Sequence, residues 1–307
     1  MTTAVLILAR TLHIGGAMML FALPYFMLVI LRPAFSADTT KSYSSFCQKM
    51  TKWLGVALMV EALSGGIWFW FVAAQMRHQS PWGILGLTDL NVVLWQTQFG
   101  RLWLVRGTIG AALGVVLYFV SRRKTLLPPT LSLLNGLVVL ASACLLVTLA
   151  LAGHVVAGIH HQILHLIADT PHLLIGAIWP TGLIPMAYFL WHVTRKNRPL
   201  PADREIETLQ RFSQTSLIAV MILLVTGSIN GWLIIGSWEN LVTTTYGRLL
   251  LAKIAVVVIM IGIGAFNRFH LMRRIHDLPL MFRALGKTIV AESCLALIVL
   301  FIVGMHT

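Results

Sequence analysis

Long apolar runs are the feature that most constrains how this chain can fold. Eight of them follow one another along the 307 residues, near positions 11–31, 53–75, 102–121, 131–152, 171–192, 213–235, 249–267 and 286–305. A helix needs roughly 20 apolar residues to cross the hydrocarbon core of a bilayer. That core offers no water to unpaired backbone groups, so each run must form a helix. With 58% hydrophobic and 11% charged residues, the sequence predicts an all-α integral membrane protein: one membrane domain, 1–307, with eight transmembrane helices, numbered spans 1 to 8.

Basic residues alternate between the connections, and this alternation predicts the orientation of the chain. Those in or near the connections after spans 1, 3, 5 and 7 are Arg32, Lys41, Lys49, Lys52, Arg122, Arg123, Lys124, Arg195, Lys196, Arg198, Arg204, Arg211, Arg268, Arg273, Arg274, Arg283 and Lys287. After spans 2, 4 and 6 there are only Arg77, Arg101 and Arg248. Because Lys and Arg are enriched on the cytoplasmic side, both termini are predicted to face outward (N-out/C-out). The net charge of +13 therefore reflects orientation in a lipid bilayer, and we expect no nucleic-acid partner.

The two halves of the chain share short patterns in the same order. They are Ala-x-Thr-x-His ending at His13 and His172, Ser64-Gly65 and Thr226-Gly227, aromatic-Gly-Arg-Leu at 99–102 and 246–249, and glycine shortly before His154 and His306. Chance similarity between apolar helices explains any single pair, but not readily four in one order. Each half has an even number of spans, so the sequence predicts two parallel four-helix repeats, 1–155 and 156–307.

Histidines are concentrated between spans 4 and 5. Residues 153–185 hold five of the chain's eleven histidines. Asp169-Thr170-Pro171 is typical of a helix start, a capping side chain followed by proline, and would place His172 in the first turn of span 5. His154 ends span 4 and is expected at about the same depth. His161 and His165, spaced i, i+4, share one helical face. Imidazole is a ligand for several transition metals, so the pattern predicts an outward metal site; the alternative is a histidine-rich surface loop.

Four charged residues lie within the spans: Glu61, Arg106, Lys253 and Glu292. Ionised groups are costly in a membrane and by default face protein or a water-filled cavity. Arg106 and Lys253 occupy matching repeat positions, and we expect them to snorkel outward. The two glutamates lie near mid-membrane and are candidates for proton or cation passage. Neutral, hydrogen-bonded carboxyl groups are the alternative.

A family resemblance is clearest over residues 153–267. The residues that carry it are Gly153-His154, Asp169, His172, Trp179, Gly182-Leu183, Arg211-Phe212-Ser213, Thr226-Gly227, Asn230, Trp232, Tyr246-Gly247-Arg248, Leu250, Lys253 and Asn267. On these residues the chain resembles the copper resistance protein D (CopD) family of bacterial inner-membrane proteins. It departs from the family pattern at Pro180-Thr181-Gly182, where relatives often have a glycine pair after the tryptophan.

The resemblance implies a multi-pass inner-membrane protein that moves copper across the membrane. It also implies a separate periplasmic copper-binding partner resembling copper resistance protein C, since no such β-sandwich domain is recognised in this sequence. We therefore expect copper transport through a periplasm-facing histidine site that binds a copper ion. His154 and His172 are the expected first ligands and His13 and His306 the second pair. His161 and His165 are expected to form a capture group in the loop before span 5.

Two other functions are compatible with the same histidines. Matched histidines on two helices of each half suit a b-type haem redox protein. A membrane anchor that binds copper without transporting it is a third possibility. The sequence has no Gly-rich loop ending in Gly-Lys-Ser or Gly-Lys-Thr, so we expect passive or ion-coupled movement and no enzyme activity.

The predicted orientation can be tested at the C-terminus. A reporter enzyme that is active only in the periplasm should be active when it is fused after Thr307, because the basic connections hold the opposite ends of the spans in the cytoplasm. Activity of a cytoplasm-only reporter at the same position would contradict the orientation.

Overall fold

All eight predicted spans are present as helices. The computed structural model describes residues 2–35, 41–83, 86–122, 128–157, 162–195, 202–273 and 277–305, and within these ranges all regular secondary structure is helical. The helices long and apolar enough to cross a membrane are Thr3–Ala34, Ser45–Met76, Gln98–Ser121, Leu133–Ala152, Ile163–Thr194, Asp203–Ile235, Thr245–Leu271 and Leu278–Met305. The prediction of an all-α fold with eight membrane-length helices is confirmed.

Several spans contain more than one helical segment, and two short helices lie between spans. The segments are Thr2–Tyr25, Phe26–Leu31 and Arg32–Ala34 in span 1; Lys41–Met76 in span 2; Gln98–Arg122 in span 3; Pro128–Ala157 in span 4; Gln162–Ile178 and Leu183–Arg195 in span 5; Ala202–Ile235 in span 6; Thr245–Phe266 and Asn267–Leu271 in span 7; and Leu278–Met305 in span 8. The short helices are Leu87–Gln96 before span 3 and Trp238–Thr243 before span 7.

Spans 3 and 7 begin with the same local structure. Thr97 Oγ1 accepts a hydrogen bond from the Gly100 backbone N–H at 2.9 Å, and Thr244 Oγ1 accepts one from the Gly247 N–H at 3.0 Å. Such caps satisfy backbone donors that a helix start leaves unpaired. Both glycines also pack against the backbone of the preceding short helix, where a Cβ atom has no room. The aromatic-Gly-Arg-Leu pattern therefore corresponds to one structural motif in each half.

Span 1 is the most widely connected helix of the bundle. Its segments contact spans 2, 4, 5, 6 and 8. At the crossing with span 2, a Cβ atom added to Gly16 would lie 2.9 Å from the backbone nitrogen of Glu61. Nearer its N-terminus, Thr11 abuts Gly304 of span 8. Small residues allow membrane helices to approach this closely, and the first and last spans of the chain are neighbours as a result.

Span 5 is divided by a short turn at 179–182. Trp179 and Leu183 continue the chain of backbone hydrogen bonds through it, with Trp179 N–H bonded to Ile175 O and Leu183 N–H to Trp179 O. The two parts have different neighbours. Gln162–Ile178 contacts spans 1, 4 and 6, whereas Leu183–Arg195 contacts spans 2 and 8.

The predicted start of span 5 is wrong. Its first helix begins at Gln162 and continues through Pro171. Proline removes only one backbone donor, and a membrane helix tolerates that loss when its neighbours continue the apolar pattern. His172 therefore lies ten residues after the first helical residue, about 15 Å along the axis at 1.5 Å per residue. His13 is likewise eleven residues into its helix, so both histidines lie deeper along their helices than predicted.

The crossing of spans 1 and 2 gives a stability test. Gly16→Ala should lower the free energy of unfolding by about 1–3 kcal/mol, because the added methyl group overpacks span 1 against the backbone of span 2. The measurement is thermal or denaturant unfolding of the purified protein in detergent. Gly66→Ala is the matched control, since nothing lies within 4 Å of its added methyl group. Equal unfolding midpoints for the two variants would contradict the packing at Gly16.

Candidate functional site

One face of span 5 carries a row of polar residues. His165, Asp169 and His172 are spaced by four and three residues, with Gly176 four residues further along the same helix. All four therefore share one side of that helix, and His165 is 7% exposed. His165 was expected in the loop before span 5, but it lies within the helix Gln162–Ile178. That expectation is wrong for His165, and His161 lies outside the described residues.

The hydrogen bonds of His172 assign its tautomer. Its Nδ1 lies 3.0 Å from Thr226 Oγ1, and that hydroxyl is also 2.8 Å from the Ile222 carbonyl oxygen in its own helix. A carbonyl only accepts, so the single hydroxyl proton of Thr226 goes to Ile222. The hydroxyl then accepts from His172 Nδ1–H, which leaves Nε2 unprotonated. Among the residues described, none forms a hydrogen bond with Nε2, and an unprotonated imidazole nitrogen is the form that binds metals.

His13, at the matching position of the first half, has the same tautomer but a different environment. Its Nδ1 donates to the Glu61 carbonyl oxygen at 2.8 Å, so Nδ1 again carries the proton. Its Nε2 accepts from the Arg106 guanidinium at 2.6 Å. Both ring nitrogens are engaged, and the side chain is 1% exposed.

Arg106 holds the polar centre of the first half together. Its NH2 nitrogen donates to Glu61 Oε1 at 2.9 Å as well as to the histidine. Its NH1 nitrogen donates to Leu145 O at 2.8 Å and Thr148 Oγ1 at 2.6 Å in span 4. The expectation that Arg106 snorkels outward is wrong, because it is 3% exposed. A carboxylate partner and several acceptors make burial of the guanidinium tolerable.

A glycine faces each of the two histidines. A Cβ atom at Gly65 would lie 2.7 Å from His13 Cε1, and one at Gly227 would lie 3.1 Å from His172 Cε1. Both glycines therefore leave space for an imidazole ring of the neighbouring span.

Two residues of opposite charge lie near His172. Lys253 of span 7 lies close enough for electrostatic interaction with both His172 and Asp169. Asn230 of span 6 donates to Asp169 Oδ1 at 3.4 Å. Spans 5, 6 and 7 therefore converge here, and the lysine and the carboxylate offset one another.

A thioether lies one turn further along the same face of span 5. Met18 Cε of span 1 is 3.2 Å from the position of a Cβ atom at Gly176, the residue four after His172. The contact brings a soft sulfur-containing side chain to the face that carries the histidines. Sequence spacing alone could not find Met18, because the contact depends on how spans 1 and 5 cross.

The other predicted ligands are outside the described side chains. His154 lies in the helix Pro128–Ala157, three residues before its end, but its side chain is not among those described. His161 and His306 lie outside the described residues. Within the described part of the chain, no three His, Cys, Asp or Glu side chains converge to hold a metal ion. The ligand role of all six predicted histidines stays a prediction.

Comparison with known proteins identifies the family. Residues 1–162 match the family model of the copper resistance protein D-like N-terminal domain, and residues 206–306 match that of copper resistance protein D. The chain belongs to the copper resistance protein D family. The resemblance inferred from the sequence is confirmed.

Curated relatives cover the chain to different extents. Copper resistance protein D of Pseudomonas syringae pv. tomato is 28% identical over 82% of this chain and 77% of its own length. Inner membrane protein YebZ of Escherichia coli (strain K12) is 31% identical over 66% of this chain and 71% of its own. Copper transport protein CutJ of Bacillus subtilis (strain 168) is 30% identical over 53% of this chain, which spans only 28% of that longer protein. With eight membrane-length helices, the chain is a multi-pass inner-membrane protein.

The Arg106 centre gives a second stability test. Arg106→Gln should lower the free energy of unfolding by about 3–5 kcal/mol, because it leaves Glu61 as a buried carboxylate without its cation. Denaturant unfolding in detergent measures the loss. The double variant Glu61→Gln/Arg106→Gln removes both charges and should recover part of the stability. A double variant that is less stable than Arg106→Gln would contradict a buried ion pair.

Proposed function

We propose that this protein transports copper across the inner membrane through a histidine site centred on His172. The observation that carries the proposal is the unprotonated Nε2 of His172, which is held in that tautomer by Thr226 and has no hydrogen-bond partner among the described residues. Fixing one ring nitrogen with a hydrogen bond so that the other can bind metal is a common arrangement in metal sites. The names of two relatives, a copper transport protein and a copper resistance protein, support copper as the ion.

The side chains around His172 suit a copper ion in transit. Imidazole nitrogens and thioether sulfur both bind copper, and thioethers favour Cu(I). His165 lies two helical turns before His172 on the same face, and Met18 lies against the next turn after it. An ion can therefore exchange one set of ligands for another along span 5. Asp169 offsets the positive charge of Lys253, which lowers the electrostatic cost of a cation at this point.

The remaining histidines complete the proposed route at its outer end. We place His154 and His161 with His165 in the capture of copper, and His306 as an assisting ligand. His13 has a structural role in this proposal, since Arg106 occupies its second nitrogen. Both termini face the periplasm, where a separate protein resembling copper resistance protein C supplies or receives the ion.

We also propose that the two halves of the chain, 1–155 and 156–307, form parallel four-helix repeats. The matching glycine contacts of His13 and His172, and the matching threonine caps of spans 3 and 7, support it. The halves have diverged in function: the first is closed by an arginine, and the second retains a nitrogen for metal binding.

A haem protein is the main competing function. A bis-histidine haem needs an available nitrogen on each of two facing histidines, and the contact between Arg106 and His13 Nε2 argues against such a pair in the first half. An absorbance spectrum of the purified protein separates the two, because haem gives a strong Soret band and copper does not. Copper flux in sealed vesicles separates a transporter from a copper-binding anchor.

His172→Ala should abolish the tightest copper site, because it removes the nitrogen on which the site is centred. The measurement is copper affinity and stoichiometry of the purified protein at equilibrium. Thr226→Val keeps the imidazole but removes its orienting hydroxyl, and should weaken binding by about 10–100-fold. His306→Ala should weaken binding less than His172→Ala.

Thr288→Val is the matched control for Thr226→Val. The Thr288 hydroxyl also bonds carbonyl oxygens of its own helix, in span 8, and its loss should leave copper affinity unchanged. Unchanged tight binding in His172→Ala would show that the site assignment is wrong.

A further inference from the structure

A second buried acid, Glu292, has surroundings quite unlike those of Glu61. It lies near the middle of the helix Leu278–Met305 and is 2% exposed. Asn267 of span 7, itself 7% exposed, donates from Nδ2 to Glu292 Oε2 at 3.0 Å. Gly264 stands opposite the other carboxyl oxygen, and a Cβ atom there would lie 3.2 Å from Oε1. A carboxyl group and an amide thus meet at the crossing of spans 7 and 8.

Two oxygen atoms at this crossing lack a donor. Glu292 Oε1 and Asn267 Oδ1 are both buried and have no hydrogen-bond partner among the described residues. Buried acceptors without partners are uncommon and costly. Both atoms are acceptors as long as the carboxyl group is ionised. A single proton on Oε1 would turn that oxygen into a donor, so that it would no longer be a buried acceptor without a partner.

The charged groups on the neighbouring helices are engaged elsewhere. Span 8 packs against spans 1 and 7 and the second helix of span 5. In span 1, Arg10 lies over the ring of Trp68, and His13 accepts a hydrogen bond from Arg106. In span 7, Arg268 donates to Ser213 Oγ of span 6 at 2.7 Å, and Lys253 interacts with Asp169.

The remaining titratable groups nearby also leave Glu292 without a cation. His192 in span 5 packs against the rings of Phe46 and Tyr188. Lys287, in span 8 itself, is exposed. Among the residues described, the polar contact of Glu292 is Asn267 alone. An isolated carboxylate inside a membrane is expensive, so this acid differs from Glu61, which has Arg106 at 2.9 Å.

We propose that Glu292, held by Asn267, is a proton-binding site whose loading and release are coupled to copper movement. In the packed state Oε1 carries the proton. When water reaches the crossing, the Oε1–H bond breaks, the proton leaves to water, and the carboxylate keeps the Asn267 amide as its donor. The coupling rests on the proposed transport function, but the proton site does not. A π-helical segment begins at Asn267, and such segments occur frequently at functional sites.

The proton site can be tested without copper. A hydrophobic carbodiimide reacts with protonated carboxyl groups inside membranes, and mass spectrometry locates the product. In copper-free wild-type protein, Glu292 should be labelled and Glu61 should not, with more labelling as the pH falls from about 9 to about 5. Glu292→Gln should remove the label, and Glu61→Gln is the matched control that should retain it.

Three outcomes would overturn the proton site. They are equal labelling of Glu61 and Glu292, absence of label on Glu292 throughout the pH range together with no carboxylic-acid infrared band lost in Glu292→Gln, and protection by Na⁺ at constant pH. The last result would indicate a sodium site in place of a proton site.

Coupling is tested separately in sealed vesicles. With one proton per copper ion, the copper accumulation ratio should change about tenfold per unit of imposed pH difference. Glu292→Gln should abolish this dependence while copper affinity stays unchanged. A dependence that persists in Glu292→Gln would overturn the coupling. Labelling of Glu292 in a protein without copper flux would leave the proton site standing and would instead contradict transport.

Discussion

Burial of charge inside the membrane is the constraint on which the first half of this structure depends. Arg106 satisfies it by reaching acceptors on three other helices: His13 in span 1, Glu61 in span 2, and Leu145 and Thr148 in span 4. A guanidinium group can do this because its donors point in fixed directions from one plane. Spans 1 to 4 therefore share one polar centre.

The second half repeats the histidine and its glycine but replaces the closing contact. Lys253 occupies the sequence position that corresponds to Arg106, and it interacts with Asp169 as well as His172. An ammonium group is a compact charge, whereas a guanidinium forms several directed hydrogen bonds. Among the described residues, no guanidinium group donates to the ring of His172 as Arg106 does to that of His13. The histidine is therefore closed off by an arginine in the first half but not in the second.

Much of the fold, but less of the site, could be predicted from the sequence. The eight spans follow from run length and from the absence of water in the bilayer. The start of span 5 was predicted wrongly, because Asp169-Thr170-Pro171 resembles a helix cap when the residues before it are ignored. The Arg106–Glu61 pair and the position of Met18 depend on helix crossings, which apolar periodicity does not encode. The metal-ligand roles of all six histidines, His13, His154, His161, His165, His172 and His306, remain predictions.

The turn at 179–182 divides span 5 into two helices with different neighbours. The helix that carries His172 packs against spans 1, 4 and 6, and the other packs against spans 2 and 8. Span 8 carries Glu292, so His172 lies on one side of the turn and the helix that packs against the Glu292 span lies on the other. A bend at the turn would change the position of His172 relative to Glu292 without separating either helix of span 5 from its own neighbours. The environment of the histidine and that of the buried acid are thus joined through a single interrupted span.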